Sequence, residues 1–261
     1  MLSEDPIRAG LNWYTYCNNN PIFFIDPLGL IPTPEEAVAM ADHLFNLNDE
    51  NHDEILSGKW YLDYIFSPPG TGLTIGVYTR TIDGVTEYAL VNKGTGNNVL
   101  EYLNDAQQPF GLSVDMWLSM EFAITFVGTH AGYEVTMVGH SKGGAEATVN
   151  AIVTGTNCIT FNPMVANIDL YCTPIQILLY QLSGATMTHY VVCGDILNSL
   201  FGIPWIGNVF YLDVQHVMPW YTFILPPILG AWKFIDYGSK NHGLASVQAA
   251  LDQARANGKL K

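Results

Sequence analysis

The chain has 261 residues, 49% of them hydrophobic, which suffices for one large α/β domain with a sizeable core and does not require a second. Ten Lys and Arg stand against 24 Asp and Glu, a net charge of -14 that repels a phosphate backbone and argues against a nucleic-acid partner. Cys17, Cys158, Cys172 and Cys193 are widely spaced, with no CxxC pair, so mostly buried free thiols are expected rather than a disulfide framework. The start, MLSEDPIRAG, shows no basic segment followed by an apolar one, so no secretory signal is legible. Pro, Gly and Asp interrupt every apolar run before it reaches the roughly 20 residues that cross a bilayer.

In chain order, the first segment is DPIRAGLNWYTYCNNNPIFFIDPLGL, with two Asp-Pro steps, three consecutive Asn and many aromatics, which reads as turns and short strands. Through Asp5-Pro6, Gly10 to Tyr16, Asn19-Asn20-Pro21 and the closing DPLGL, it resembles the end of the core domain of Rhs-repeat proteins. That resemblance implies a boundary at residue 30, with residues 1–30 a core remnant and residues 31–261 a variable C-terminal tail, typically a toxin. It also implies self-cleavage between Leu30 and Ile31, with Asp26, Pro27, Gly29 and Leu30 as the cleavage motif and Asp26 a participant.

After the junction, Thr33-Pro34-Glu35-Glu36 predicts a helix start: a hydroxyl cap, Pro at the first helical position and Glu three residues after the Thr. Ala37, Met40, Ala41 and Leu44 then mark one apolar face. The acidic NDENHDE that follows lacks the glycine and spacing of a calcium loop and reads as a solvated face. From Trp60 to Asn92 the pattern turns to strands around an Asp83-Gly84 hairpin signal. Trp117, Met120, Ile124 and Val127 predict an amphipathic helix, followed by strands at YEVTMVG, CITFNP and HYVVCGD. Helices between strands imply a mostly parallel central sheet flanked by helices.

The stretch TMVGHSKGGAEATVNAI places Ser141 between glycines where a strand pattern becomes a helical one. A serine used as nucleophile must project from a sharp turn at the sheet edge, and a turn that tight leaves little room for side chains nearby. Gly139 and Gly143 supply that room, and Gly144, Ala145 and Ala147 let the helix approach the sheet. A Ser–acid–His chain order then nominates Asp195, at the end of HYVVCGD, and His242, in a loop entering the last helix. Asp169 follows the wrong strand, Asp213 and His216 lie in an aromatic-rich insertion, and His140 packs beneath the turn.

Residues 85 to 250 resemble a class 3 lipase, the fungal triacylglycerol lipase type of α/β-hydrolase, through YALVNKGTGN for the family's FRGT strand end, GHSKGGAEA in place of GHSLGGALA, and TFNP, VVCGD and NHG. The resemblance implies backbone oxyanion donors at Thr95 and Lys142 and an acyl-enzyme mechanism that needs no metal or organic cofactor. Lys93 and Lys142, where the family has Arg and Leu, suggest a more positive site and weakly favour a phospholipid head group. Taken with the leader, the expectation is a delivered effector without a signal peptide that cleaves phospholipid esters at the target membrane. A cognate immunity protein would keep it harmless in the producer's cytoplasm, and the Rhs core or secretion machinery would be its other partner. The rival readings are a pore-forming tail, motivated by the apolar run from 199 to 234, and a short-chain esterase or thioesterase. Phe201, Trp205, Phe210, Trp220, Phe223 and Trp232 with Pro204, Pro219, Pro226 and Pro227 predict that residues 200–235 form a lid of short hinged pieces that docks on the membrane.

Overall fold

The computed structural model describes residues 31–48, 52, 54–94, 113–204 and 206–260. The leader motif, including Asp26, Pro27, Gly29 and Leu30, lies outside the described residues, as do Cys17, Thr95 and Trp205.

Seven strands form one sheet in sequential order: β1 (Tyr61–Phe66), β2 (Ile75–Ile82), β3 (Val85–Asn92), β4 (Glu134–His140), β5 (Asn157–Phe161), β6 (Met187–Val192) and β7 (Asn208–Leu212). β1 to β3 run antiparallel, and every pairing from β3 to β7 is parallel. The hairpin between β2 and β3 turns at Asp83 (φ 52°) and Gly84 (φ 82°), the two positive φ values a tight two-residue hairpin requires.

The helices are α1 (Pro34–Phe45), α2 (Val114–Thr129), α3 (Lys142–Thr154), α4 (Ile168–Tyr171), α5 (Pro174–Ser183), α6 (Ile196–Phe201), α7 (Pro227–His242) and α8 (Leu244–Ala256). Crossovers that step one strand at a time in one direction, each right-handed, put their helices on a single face. One core accordingly gathers α2, α3, α5 and α6 over that face through Met120, Val149, Tyr180 and Leu197, against Ile75, Val77, Leu90 and Met137 of the sheet. The opposite face is covered by the two ends of the described chain. There Met40 and Leu44 of α1 and Val247 and Leu251 of α8 pack on Tyr78, Val91, Val138 and Phe161. The alternation of Val77 with Tyr78, Leu90 with Val91 and Met137 with Val138 between the two cores is the period of two that strands impose.

Thr33 caps α1 in a full capping box, its hydroxyl accepting from Glu36 N while the Glu36 carboxylate accepts from Thr33 N. Thr173 and Gln176 build the same device at α5. The segment from 200 to 235 departs from the expected lid: β7 lies inside it and extends the sheet, with Ile206 and Leu212 buried in the two cores. Beyond β7, a 3-10 turn at Trp220–Ile224 and the start of α7 expose Trp220, Ile224, Ile228, Leu229 and Trp232, and before β7 Leu200, Phe201 and Ile203 are exposed as well. Of the cysteines, Cys158 and Cys172 are buried free thiols and Cys193 is exposed.

Candidate active site

Ser141 follows the last residue of β4, a central strand, and precedes the first residue of α3. Its backbone, at φ 58° and ψ -125°, lies where a non-glycine residue is strained by about 1–3 kcal/mol. The surrounding contacts hold it there. A Cβ on Gly139 would lie 2.1 Å from the Gly143 carbonyl oxygen, and one on Gly143 would lie 2.1 Å from the Asn92 carbonyl oxygen. One on Gly144 would press on Pro163 at 2.8 Å. Gly94, just past β3, is equally close, since its Cβ would meet the His140 carbonyl at 2.7 Å and the Ser141 Cβ at 3.3 Å. Ser141 N donates to Phe161 O (3.2 Å), and Ser141 O accepts from Met164 N (2.9 Å), tying the turn to the end of β5.

Asp195 begins α6 just beyond β6, and its two carboxylate oxygens are used separately. Oδ1 accepts from Asn198 N (2.7 Å), capping α6, and Oδ2 lies 2.5 Å from His242 Nδ1. A carboxylate only accepts, so Nδ1 carries the proton and Nε2 is the basic nitrogen. Ser141, Asp195 and His242 are 0%, 1% and 2% exposed. Rather than lying in a loop, His242 is the last residue of α7, so the helix end fixes its backbone.

Two residues outside the expected triad hold that end. The His242 carbonyl accepts from His140 Nε2 (2.8 Å) and from Asn162 Nδ2 (3.0 Å). Asn162, at φ 40°, also takes Val192 N on its Oδ1 at 2.8 Å, so one amide joins the end of β6 to the end of α7. His140 does more than pack beneath the turn: its ring lies 4.8 Å from the His242 ring, centroid to centroid, and burial pushes its imidazole down to about 3, keeping it neutral. The TFNP run that contains Asn162 reads as a strand end and as part of the lipase resemblance, and neither reading assigns the amide a role.

The competing residues are turned to other tasks. Asp213 pairs with Lys259 (2.8 Å), Asp169 is exposed on α4, and the exposed His216 is held through its backbone by the Asn241 side chain. Lys142 overturns the expectation of a more positive site. Its ammonium pairs with Asp115 of α2 and lies 3.8 Å from Glu146 of α3, so two carboxylates offset one cation. The Lys93 ammonium lies 5.6 Å from the Phe45 ring centroid, toward the other face. Beside Lys142 an apolar cleft is lined by Met116, Ala145, Met164, Ala166 and Tyr171. Among the described residues no His, Cys, Asp or Glu cluster could hold a metal ion.

A buried acid–imidazole pair, a strained serine turn at the end of a central parallel strand and an adjacent apolar cleft are the parts that acyl transfer from a lipid ester uses. Three fungal enzymes are similar in structure: lipase II from Rhizopus niveus (15% identity, 69% of this chain and 79% of that one, TM-score 0.48), a lipase from Rhizopus microsporus var. chinensis (11%, 62% and 66%, 0.42) and a triacylglycerol lipase from Penicillium expansum (12%, 69% and 81%, 0.41). No curated protein matches the chain in sequence. A phospholipase-like family, described as the Tle-like phospholipase domain, matches residues 37–201, the span that carries the sheet from β1 to β6 with both Ser141 and Asp195. With more than half of its length matched, the chain belongs to the Tle-like phospholipase domain family and is a lipid ester hydrolase.

Proposed function

We propose that the protein hydrolyses membrane phospholipids through an acyl-enzyme on Ser141, as the toxic tail of an Rhs protein. The observation that carries the catalytic part is the buried His242–Asp195 hydrogen bond, whose imidazole is anchored through its carbonyl by the residue immediately before Ser141. In this reading His242 Nε2 takes the Ser141 proton as Oγ attacks the ester carbonyl, while Asp195 fixes the tautomer and faces the imidazolium that forms. The tetrahedral oxyanion is received by the N–H groups of Lys142 and Thr95. Collapse passes the proton from His242 to the departing alcohol oxygen, and water then attacks the acyl-serine with His242 again as base. The small apolar cleft beside Lys142 offers the first carbons of an acyl chain an apolar wall next to the serine turn. Because Lys142 is neutralised, the head group is left without a cation to read it there, and selectivity falls on the acyl chain.

Substrate in a bilayer calls for a surface that meets it. Trp220, Ile224 and Ile228 are 74%, 73% and 73% exposed, with Leu229 and Trp232 on the same turn and helix start. On α5, Ile175, Leu178, Leu179 and Leu182 form an outward apolar stripe, and residues 170–194 contain no Asp, Glu, Lys or Arg in a chain of charge -14. A neutral apolar face lets so acidic a molecule insert among acyl chains without electrostatic attraction. Among the described residues no helix is long and apolar enough to cross a membrane.

The test is product analysis by mass spectrometry on vesicles of defined phospholipids. Fatty acid and lysophospholipid should appear with the wild type and vanish with Ser141→Ala, which should also lose fluorophosphonate labelling. Vesicle leakage that persists in Ser141→Ala without fatty-acid release would favour a pore-forming tail, and hydrolysis confined to soluble esters would favour a short-chain esterase. For the Rhs reading, which rests on the DPLGL leader, the released tail of a full-length Rhs protein should begin at Ile31. A different start would remove that part alone.

A further inference from the structure

We propose that a buried polar network anchored on Glu146 is a positioning device for the oxyanion-binding N–H of Lys142; the proposal rests on the catalytic reading above. Asn92, Ser119, Glu146 and Asn150 are each at most 1% exposed, in a layer otherwise built from apolar side chains. Asn92 Nδ2 donates to Ser119 Oγ (2.8 Å) and to Glu146 Oε2 (3.2 Å), and Asn150 Nδ2 donates to the same Ser119 Oγ (2.7 Å). The other Glu146 oxygen faces Lys142 Nζ at 3.8 Å, and the same ammonium pairs with Asp115, whose Oδ1 accepts from Gly72 N at 3.2 Å. Such a network costs desolvation that apolar packing would avoid, so stability alone does not account for it.

What it joins gives its use. Asn92 ends β3, its carbonyl fills the space that a Gly143 side chain would take, and two residues on, Gly94 bears on Ser141. Lys142 follows Ser141 at the first position of α3, where its N–H has no acceptor within the helix. The network thus clamps together the two segments that flank the serine. A cation at a helix N-terminus is opposed by the helix dipole, so the carboxylates of Glu146 and Asp115 are what hold Lys142 in place. Positions 142 and 146 are also the two at which GHSKGGAEA departs from GHSLGGALA, so a facing Lys–Glu pair stands where that motif has Leu–Leu at the same i, i+4 spacing. Burial raises the Glu146 carboxyl to about 7, and the pull of Lys142 and Asn92 offsets that rise only in part.

The experiment compares Glu146→Gln, Lys142→Leu, Glu146→Leu and the double variant Lys142→Leu/Glu146→Leu on a soluble short-chain ester. Rates are expressed per active site titrated with fluorophosphonate, so misfolded protein does not count. Glu146→Gln should lower kcat about tenfold at unchanged KM, since a small displacement forfeits part of what one oxyanion donor supplies. Each single Leu variant should lose more, and the double should recover to within about threefold of wild type, because the apolar pair restores a packed first turn. Unchanged kcat in Glu146→Gln, a change in KM alone, or a double variant as impaired as the two singles combined would overturn the proposal. If Ser141→Ala still labels or turns over, the catalytic reading itself fails; if that variant is dead while Glu146→Gln is fully active, only the positioning role falls.

Discussion

The serine turn and the stretch from 213 to 232 sit on the same α/β frame but obey opposite rules. Around Ser141 polar side chains are buried and most are paired, Asn92 with Ser119, Glu146 with Asn92 and Lys142, and Asp195 with His242 and the first turn of α6, while the Ser141 hydroxyl itself is left without a hydrogen-bond partner. Beyond β7, apolar side chains are exposed and unanswered, Trp220 and Ile228 among them. Buried polar groups need partners, and exposed apolar surface raises the free energy until something covers it. The first region therefore gains precision from the fold, whereas the second has surface that the fold leaves unused, and each is best tested by a different kind of substitution.

The largest effect should come from the turn. Ser141→Ala is expected to abolish turnover, by about a millionfold in kcat, with the fold intact. Gly143→Ala should be nearly as damaging for a geometric reason, because its Cβ collides with the Asn92 carbonyl, and it should lower the melting temperature as well. Wild-type stability in Gly143→Ala would show that the turn is looser than these contacts imply.

Next come the acid and the imidazole. His242→Ala should reduce kcat by about 10⁶-fold, as the serine variant does, and Asp195→Asn by about 10⁴-fold, by favouring the wrong tautomer. His216→Ala should be near wild type, since the His216 ring is exposed and its segment is held by backbone contacts to Asn241. A dead His216→Ala beside an active His242→Ala would reverse the assignment.

His140 should appear in stability more than in rate. Its imidazole is held near 3 in the fold but has an ordinary value of 6.5, so the unfolded chain takes up a proton that the folded chain refuses. Stability from this group is present above 6.5 and is lost as pH falls toward 3. Glu146 acts in the opposite sense, since its raised value makes the fold relatively more stable as pH drops from about 7 toward 4.5. The two offset each other between 4.5 and 6.5, and the steep acid limb should lie below 4.5. In His140→Phe that limb should flatten in urea unfolding followed against pH, while the lost bond to the His242 carbonyl costs about 1 kcal/mol at neutral pH. An unchanged acid limb would assign it to other groups.

The smallest effect belongs to the exposed region. Trp220→Ser with Ile228→Ser should lower activity on phospholipid vesicles about tenfold, leave a soluble ester untouched and depend weakly on salt. Equal loss on both substrates would make the region part of the core in solution.

Much of the frame is written locally. Thr33 and Glu36 start α1, Asp83 and Gly84 turn the hairpin, and the glycines at 139, 143 and 144 mark the strand-to-helix turn. Each works over a few residues through backbone conformation or steric room, which a pattern of residue types records directly. Chain order also nominated Asp195 and His242, which lie hydrogen-bonded 2.5 Å apart. Two further elements have local cues: the Thr173–Gln176 cap of α5 matches that of α1, and Asn208–Leu212 is hard to tell from the apolar stretch around it because it alternates poorly and pairs at the sheet edge.

Only the tertiary structure decided what Lys142, His140 and Asn162 do. From sequence Lys142 makes the site more positive, whereas in the fold Asp115, 27 positions earlier, lies against it. His140 and Asn162 reach the His242 carbonyl across 102 and 80 positions. A side chain's own neighbours in sequence set which conformations it can adopt, but which charge compensates it or which carbonyl it binds depends on how distant strands and helices close around it, and that is settled only when the two cores pack.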